Sequence, residues 1–597
     1  MKRLLMKSMA LLLALLLCLS VIGCHPETDN GEDTTPETTI GTTESTTEET
    51  TQAVIEREPI VIDYEGDLTP GGTPEIRAEY ADLVYVGKGM PAFYYIKEQA
   101  IDLLEQIEDL YVVFETGTPE ELRAAYDKVK NGALAEMKTQ ATLAMAEYNL
   151  YFTDPEAEEN YLWMQELYSD ATGRMEYLCL LVYDSPAAEV FFEGWSEIDI
   201  RVALANGKGQ DEELRALNRE HDELIVEYHK LMQQEDYMET TAALYPELVR
   251  INNAIAQKMG YDDYMDYAYE CIYLREYAPE DVAQIRKLVK EQMVPLYNQV
   301  MQELAAMEEQ YEAFSEEEAL AFMSRLEELE TINKDSPELS LFIQGIGESF
   351  AATYTELFEK EYYYAAYAGS NSSDIAYTNM LPSLGHPYLF FGTDMMSKSN
   401  ILHEYGHYYA FSVAPNRSLR LDLAETHSQG NEWLFSAYLS EQYNDFAIRY
   451  VNLFAISFDM ESIILDLCLD EFEQTVYANP EKYTDMESLD ALYTEIVSGY
   501  VNPENFIGAW YWRDSSFETA GYYLSYGISM IPCLELYYLA ETDYERATEI
   551  YLALSEYEGH LTFTEVLERA GLQNPFDEDY QVFDFEVLLA LMQQKQS

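Results

Sequence analysis

The segment His403-Glu404-Tyr405-Gly406-His407 carries the residues of this sequence that are best spaced for chemistry. On an α-helix, residues i and i+4 lie on the same face, so both imidazoles can reach one metal ion. Glu404 follows the first histidine and can act as a base on a water molecule at that metal. Histidine is rare in this chain, with 8 in 597 residues, which makes a chance match uncommon. The spacing therefore predicts a zinc site, and two surface histidines on an amphipathic helix are the alternative.

A catalytic zinc ion requires a third protein ligand and an open position for water. A second helix is predicted from near Asp422 to about Tyr443, and its first turn offers Asp422, Glu425 and His427. Packed across the first helix, it can present Glu425 to the metal, although spacing alone leaves His427 open. A carboxylate beside a ligating histidine can instead orient its ring. Asp422 and Glu432 are the candidates for that role, with solvated surface carboxylates as the alternative.

Helical patterning dominates the chain from about residue 75. Apolar residues recur at spacings of three and four along one helical face, as at Leu104, Ile107 and Tyr111. We predict a mainly α fold with a helical N-terminal lobe over residues 75–337 and a catalytic lobe with the predicted zinc site over residues 338–597. The best strand candidate is the short aromatic run that directly precedes the predicted metal site.

The first 23 residues have the pattern of a processing signal rather than of a folded segment. Lys2, Arg3 and Lys7 form a positive region that an apolar run follows, and Gly23 directly precedes Cys24. This ending resembles a bacterial lipobox, which implies a lipoprotein signal peptide, cleavage before Cys24 and lipidation of its thiol. An ordinary secretory signal with a chance cysteine is the alternative.

Residues 24–57 are dominated by Thr and Glu and cannot bury enough apolar area to fold, so a disordered tether is predicted. With the signal over residues 1–23, it predicts an extracytoplasmic protein, anchored by lipid to the outer face of the bacterial cell membrane.

The chain is strongly acidic, with 35 Lys and Arg against 110 Asp and Glu and a net charge of −75. Such a chain cannot bind nucleic acid by neutralising phosphates, which excludes that class of partner. Four cysteines lie in the body of the chain without the CxxC spacing of a zinc site. They are predicted to be buried thiols, with one disulfide as the alternative: Cys179, Cys271, Cys468 and Cys533.

The stretch over residues 387–432 resembles the oligoendopeptidase F and thimet oligopeptidase family of zinc peptidases. In that family an apolar edge strand ending in a Gly-containing turn leads into the HExxH helix, and a second helix begins with a glutamate ligand followed shortly by serine. The matching segments here are Tyr388-Leu-Phe-Phe-Gly-Thr393, the HExxH motif and Ala424-Glu-Thr-His-Ser428. The resemblance places the third ligand at Glu425 and makes His427 its neighbour. It implies one Zn2+ per chain and a large, mainly α peptidase with a deep central substrate channel and a small edge β-sheet beside the HExxH helix.

The same family carries a tyrosine-rich segment that faces the metal, and Gly521-Tyr-Tyr-Leu-Ser-Tyr526 matches it. The resemblance implies that Tyr523 and Tyr526, three residues apart on one helical face, donate hydrogen bonds to the tetrahedral intermediate. Tyr522 is expected to contact substrate. Plain packing is the alternative, because tyrosine is abundant in this chain.

One departure from the family pattern lies before these tyrosines. The family usually has a histidine there, whereas this chain has none between residues 427 and 560. Ser515, Ser516 and Phe517 occupy the approximate place, and Arg513 is the candidate to compensate. The departure leaves the zinc ligands untouched and predicts slower turnover or altered specificity.

Peptide substrates are expected to pair with the edge strand by strand addition. Phe391 and Gly392 on that strand, and His386 at its start, are the predicted substrate contacts, with a loop histidine of no role as the alternative for His386. We predict a zinc-dependent endopeptidase that hydrolyses short unstructured oligopeptides outside the cytoplasmic membrane. A peptide-binding lipoprotein with this fold and little or no activity is the alternative, supported only by the missing histidine. A zinc hydrolase of a non-peptide amide is a third hypothesis that nothing in the sequence favours.

Overall fold

The computed structural model describes residues 60, 62, 76–77, 80–208, 212–232, 237–414, 420–443, 445–502, 510–512, 515–557 and 561–594. Helices make up 72% of the structure and one small sheet has four strands, so the predicted mainly α class is confirmed. The predicted signal, the tether and Cys24 lie outside the described residues.

The chain before residue 337 is almost entirely helical. Its helices of six or more residues are α1 Lys97–Thr116, α2 Pro119–Val129, α3 Ala135–Leu150, α4 Pro155–Tyr183, α5 Glu197–Gly207, α6 Glu212–Leu231, α7 Tyr237–Ala242, α8 Tyr245–Met259, α9 Val282–Leu288, α10 Val294–Glu312 and α11 Glu316–Glu330. Side-chain caps begin several of them. Thr118 and Ser315, for example, each accept a hydrogen bond from a first-turn amide and form a capping box with a glutamate.

The remaining helices carry the predicted site. They are α12 Pro337–Ile346, α13 Glu348–Lys360, α14 Lys398–Val413, α15 Leu421–Gln442, α16 Phe446–Ala478, α17 Met486–Ser498, α18 Leu524–Thr542, α19 Tyr544–Ser555, α20 Phe563–Ala570 and α21 Phe585–Gln594. Helix α14 begins at Ser397, whose hydroxyl accepts from the Asn400 amide at 3.2 Å. The two helices predicted around the HExxH segment and the Glu425 segment are therefore confirmed as α14 and α15.

The sheet consists of β1 Val84–Val86, β2 Tyr363–Ala366, β3 Ala376–Leu381 and β4 His386–Thr393, in the order β1-β2-β4-β3. Strand β4 runs parallel to β2 and antiparallel to β3, with Thr378 opposite Leu389. The predicted strand is confirmed as part of β4, but the prediction that it forms the edge of the sheet is wrong. Its run of apolar residues is buried on both faces, as expected of an internal strand. The edge strand on this side is β3, which pairs with β4 alone among the described residues.

Two hydrophobic cores account for most of the buried side chains. One core is built from residues between 95 and 203, and a larger core joins residues from 225 to 592. Helices α14, α15 and α18 contribute Tyr405, Leu423 and Ile528 to the larger core. The predicted division of the chain at residues 337 and 338 stays a prediction. None of the described helices has both the length and the apolarity to span a membrane.

The four cysteines in the described residues, Cys179, Cys271, Cys468 and Cys533, are buried thiols that form no disulfide, as predicted. Burial raises the pKa of the Cys179 thiol to about 11, so it stays protonated at neutral pH. These side chains act as small apolar residues in the cores.

Candidate active site

Helices α14 and α15 cross in close contact at Gly406. A Cβ atom at this position would lie 2.5 Å from the carbonyl oxygen of His427 and 2.7 Å from Cα of Ser428, so only glycine permits the approach. The Asn431 side-chain amide then donates to the Leu402 carbonyl at 2.7 Å and joins the two helices. The crossing lies between the two histidines of the HExxH motif and brings the first turns of α15 against them.

This crossing brings His403, His407 and Glu425 into one buried cluster. Oε2 of Glu425 lies 3.5 Å from Nε2 of His403 and 3.8 Å from Nε2 of His407. Four tetrahedral ligands at about 2.1 Å from zinc are separated by about 3.4 Å, which these spacings match. Two imidazoles and a carboxylate are also a common set of donors for a catalytic zinc ion. Within the described residues these three side chains form the group that could hold a metal ion, and His427 is not part of it.

Two neighbouring side chains orient these candidate ligands. Oε1 of Glu432 lies 2.9 Å from Nδ1 of His403, and the Ser399 hydroxyl donates to the other oxygen of Glu432 at 2.7 Å. Burial opposes protonation of His403, but the hydrogen bond to Glu432 and the negative charges of Glu432, Glu425 and Glu404 together raise the pKa of the imidazole to about 9. The Ser428 hydroxyl donates to Oε2 of Glu425 at 3.0 Å. Of the two carboxylates predicted to orient a histidine, Glu432 is the one that does so.

Glu404 is buried beside the cluster, with 1% of its surface exposed. Burial raises the pKa of its carboxyl to about 7, although the nearby His403 opposes the shift. A carboxylate with a pKa in this range is well suited to accept and return a proton at neutral pH. The Thr378 hydroxyl donates to Oε2 of Glu404 at 2.8 Å. Thr378 belongs to the edge strand β3, and no spacing in the sequence marks it.

The tyrosine-rich segment forms a turn and the start of α18. Tyr523 caps the helix, while the hydroxyls of Tyr522 and Tyr526 lie 3.0 Å apart. Tyr526 lines a cavity of about 70 Å³ together with His403 and Glu432, so it lies near one of the three candidate ligands. The structure brings the hydroxyls of Tyr522 and Tyr526 together, and the Tyr523 ring lies 5.9 Å from that of Tyr526. The roles predicted for Tyr523 and Tyr526 at the intermediate stay predictions.

The two remaining polar residues at the start of α15 have structural partners. Asp422 accepts from the Tyr277 hydroxyl at 2.5 Å, and its other oxygen lies 3.6 Å from Nε of Arg275. Nε2 of His427 lies 2.8 Å from the Leu554 carbonyl, which ties α15 to α19. The prediction that Asp422 orients a ligand is corrected by these contacts, because its carboxylate binds residues of a different segment.

Of the three strand residues predicted to contact substrate, Phe391 and Gly392 support the sheet instead. The Phe391 side chain is fully buried in the larger core. Gly392 packs against the neighbouring loop so closely that a Cβ atom would lie 1.8 Å from the Ser373 carbonyl oxygen. The His386 ring stacks on Tyr362 at 3.9 Å. The packing of Phe391 and Gly392 follows from the internal position of β4, and the substrate-contact predictions for these two residues are corrected accordingly. His386 is partly exposed at the start of the strand, and its substrate contact stays a prediction.

The region of the missing histidine is partly described. Ser516 and Phe517 are buried, and the Phe517 ring stacks on Tyr228 at 4.6 Å. Arg513 lies outside the described residues. The residue that sequence analysis missed is Arg275, whose Nη2 donates to the Gly521 carbonyl at 2.9 Å and to the Ser525 hydroxyl at 2.7 Å.

Comparison with known proteins gives a match at the level of structure. No family model and no curated protein matches the sequence. PZ peptidase A, solved with an inhibitor, has a TM-score of 0.63 at 17% identity over 84% of this chain and 98% of its own. A protein from Bacillus anthracis described as an oligoendopeptidase F has a TM-score of 0.64 at 16% identity over 84% of this chain and 96% of its own.

The oligoendopeptidase F from Enterococcus faecium has a TM-score of 0.50 at 14% identity, over 83% of this chain and 96% of its own. Identities this low are evidence for the fold alone. The resemblance predicted from residues 387–432 is confirmed at that level, and the chain has the fold of the oligoendopeptidase F structures.

Proposed function

We propose that this chain is a zinc-dependent endopeptidase that hydrolyses short unstructured oligopeptides. The observation that carries the proposal is the contact between Thr378 and Glu404. Thr378 belongs to an edge strand that is able to pair with a peptide backbone. Glu404 is a buried carboxylate beside two histidines and a glutamate, so the contact connects these two features. A base, a metal site and a peptide-binding edge thus meet at one place. The shared fold with oligoendopeptidase F structures supports the same conclusion.

The metal would be held by His403, His407 and Glu425, whose spacing and chemistry fit zinc. When bound there, zinc supplies Lewis acidity, which polarises a carbonyl group and lowers the pKa of a water molecule. Glu432 fixes the His403 ring so that Nε2 faces Glu425. Because burial also lowers the pKa of His407 well below its usual value, that ring stays neutral and keeps a lone pair for a metal.

The chain's own groups would move the proton and bind the substrate. Glu404 accepts a proton from the attacking water and returns it to the departing amine. Thr378 holds the carboxylate oxygen of Glu404 in place, and the substrate backbone pairs with β3 by strand addition. The Tyr526 hydroxyl, linked to that of Tyr522, donates to the developing oxyanion without adding a formal charge.

We also propose that the protein acts outside the cytoplasm, anchored by lipid at Cys24. The basic residues, the apolar run and the small residue before Cys24 support this, together with the tether that follows. Expression of the full chain in a bacterial host with a labelled fatty acid tests it. We expect label on the wild type and none on Cys24→Ser, and equal labelling of both would contradict the anchor.

The proposed activity is tested by mapping the products of a mixed oligopeptide pool. The full chain, purified in mild detergent with zinc, is expected to cut unstructured peptides at internal bonds and to leave folded proteins intact. Glu404→Gln is expected to abolish the cleavage. Glu461→Gln is the matched control, because Glu461 is a partly buried glutamate that accepts from Tyr297 at 3.4 Å, apart from the site. Intact peptides after incubation with the zinc-loaded wild type would contradict the proposal.

A further inference from the structure

The turn at Gly521, directly before the tyrosines, is tightly packed against its neighbours. Gly521 has a φ of +86°, a conformation that favours glycine, and its amide donates to Oε2 of Glu473 at 2.7 Å. A Cβ atom here would lie 3.2 Å from both Tyr273 Cε2 and Met265 Cε. Tyr522 follows directly, so any movement of this turn moves the tyrosine hydroxyls at the site.

The carbonyl side of the same turn is held by the guanidinium group of Arg275. One nitrogen, Nη2, donates both to the Gly521 carbonyl and to the Ser525 hydroxyl in the first turn of α18. Nε of the same side chain lies 3.6 Å from Asp422 at the start of α15. The Arg275 side chain is 0% exposed, so it does not reach a substrate. Its contacts connect the turn before Tyr522 with the helix that carries Glu425.

The segment that carries Arg275 has an irregular backbone. Ala268–Ile272 forms a π-helical turn, and Leu274 has a φ of +54° although it is not glycine. Both features are uncommon and cluster at functional sites. The Tyr269 and Tyr273 rings lie 4.4 and 4.6 Å from the guanidinium carbon. The backbone of this segment is therefore shaped to hold one arginine in one orientation.

Stability alone gives little reason for an arginine at this position. Removing a guanidinium group from water is costly, and well-packed apolar residues often support a fold equally well. What Arg275 adds is directional bonding, because its planar group fixes two acceptors at defined angles. Those acceptors belong to the tyrosine turn, while its carboxylate partner Asp422 lies one helical turn before Glu425.

We propose that Arg275 is a positioning residue that fixes the Tyr522–Tyr526 segment relative to the Glu425 helix, and so sets where the tyrosine hydroxyls meet the reacting carbonyl. This role rests on the proposed peptidase function. Arg275 acts through Gly521 and Ser525 and touches no reacting atom. It also shifts attention from the missing histidine to the groups that hold the remaining donors in place.

Hydrogen exchange of the full chain tests whether Arg275 holds the tyrosine turn in place, without any assay of activity. In Arg275→Lys we expect exchange in peptides covering residues 519–526 to rise at least about tenfold, because the bonds to Gly521 and Ser525 are lost. Arg325→Lys is the matched control, since Arg325 pairs with Asp445 at 2.8 Å and stacks on Tyr443 elsewhere in the fold. Ser525→Ala, which removes one bond and leaves the guanidinium buried, should give a smaller rise. Unchanged exchange at residues 519–526 in Arg275→Lys would overturn the proposal.

Kinetics of the zinc-loaded protein test the catalytic part. Arg275→Lys should lower kcat by about 30- to 100-fold with little change in zinc content, because displaced donors lose much of their effect. In a Tyr526→Phe background, Arg275→Lys should lower kcat by less than about threefold, since Arg275 acts through the tyrosines. Equal losses in both backgrounds would show a merely structural role and overturn it. If the wild type cuts no peptide, the peptidase proposal fails, and the exchange result still decides whether Arg275 holds the turn.

Discussion

The two sides of the candidate site are assembled in different ways. The metal side, with His403, His407 and Glu425, lies where α14 and α15 cross. The hydrogen bond that joins these helices connects Asn431 and Leu402, which are 29 residues apart in the sequence. The tyrosine side depends on Arg275, which is 246 positions from Gly521. The metal side is therefore built from residues close together in sequence, whereas the tyrosine side depends on contacts between distant segments.

Loss of Glu425 should break the metal side most severely. Glu425→Ala removes one of three candidate ligands and leaves the two imidazoles unable to enclose a metal ion. We expect zinc affinity to fall by more than the roughly 100-fold that loss of an orienting partner costs. Isothermal titration of the metal-free protein with zinc measures this. Affinity close to that of the wild type would contradict the ligand assignment.

Loss of a tyrosine hydroxyl should lower the rate of cleavage and leave the zinc content unchanged. Tyr526→Phe removes the hydroxyl proposed to donate to the oxyanion, and we expect kcat to fall by about 100-fold with zinc stoichiometry unchanged. Tyr523→Phe is the matched control, because Tyr523 caps the helix and is not part of the hydroxyl pair. A larger loss in Tyr523→Phe would make Tyr523 the main donor and contradict the role proposed here for Tyr526.

Loss of the orienting carboxylate should weaken the metal side without destroying it. Glu432→Gln keeps the shape of the side chain but removes the charge that faces Nδ1 of His403 at 2.9 Å. We expect zinc affinity to fall by about 10- to 100-fold, less than in Glu425→Ala. The same titration measures the change. An unchanged affinity would show that the contact does not support the ligand.

The buried Glu473 should give the tyrosine side a dependence of stability on pH. Burial raises the pKa of this carboxyl from 4.5 to about 8, so the folded state favours its protonated form. As pH rises from 4.5 to 8, only the unfolded chain loses this proton, and the free energy of unfolding falls. Glu473→Gln should therefore gain stability over the wild type progressively across that range and level off above it. Chemical denaturation at several pH values measures the difference in free energy of unfolding between the variant and the wild type. A difference that does not change with pH would contradict the raised pKa of Glu473.

The sequence was sufficient for the metal side because its information is local. The HExxH spacing, the helix that follows and the position of Glu425 all lie within about one supersecondary unit, and the structure brings the three candidate ligands together. Gly406 lies within that motif. The sequence does not show that a side chain is excluded there, because the exclusion depends on the crossing of α15.

The rest of the site could not be predicted, because it depends on long-range packing. The apolar run of β4 was compatible with either an edge or an internal strand, and only the strand order made β3 the edge. Thr378 reaches Glu404 because β3 lies beside α14. Arg275 had no motif around it, and its partners lie in two segments far along the chain.

The central claim is that one zinc ion and Glu404 act together in peptide hydrolysis. The most direct test is to add zinc stepwise to the metal-free full chain while following both binding and cleavage of an oligopeptide. We expect one equivalent of zinc to bind to the wild type and to Glu404→Gln alike, and cleavage to rise in step with binding in the wild type alone. Cleavage that precedes zinc binding, cleavage by zinc-loaded Glu404→Gln at the wild-type rate, or a zinc-loaded wild type that cuts nothing would contradict it.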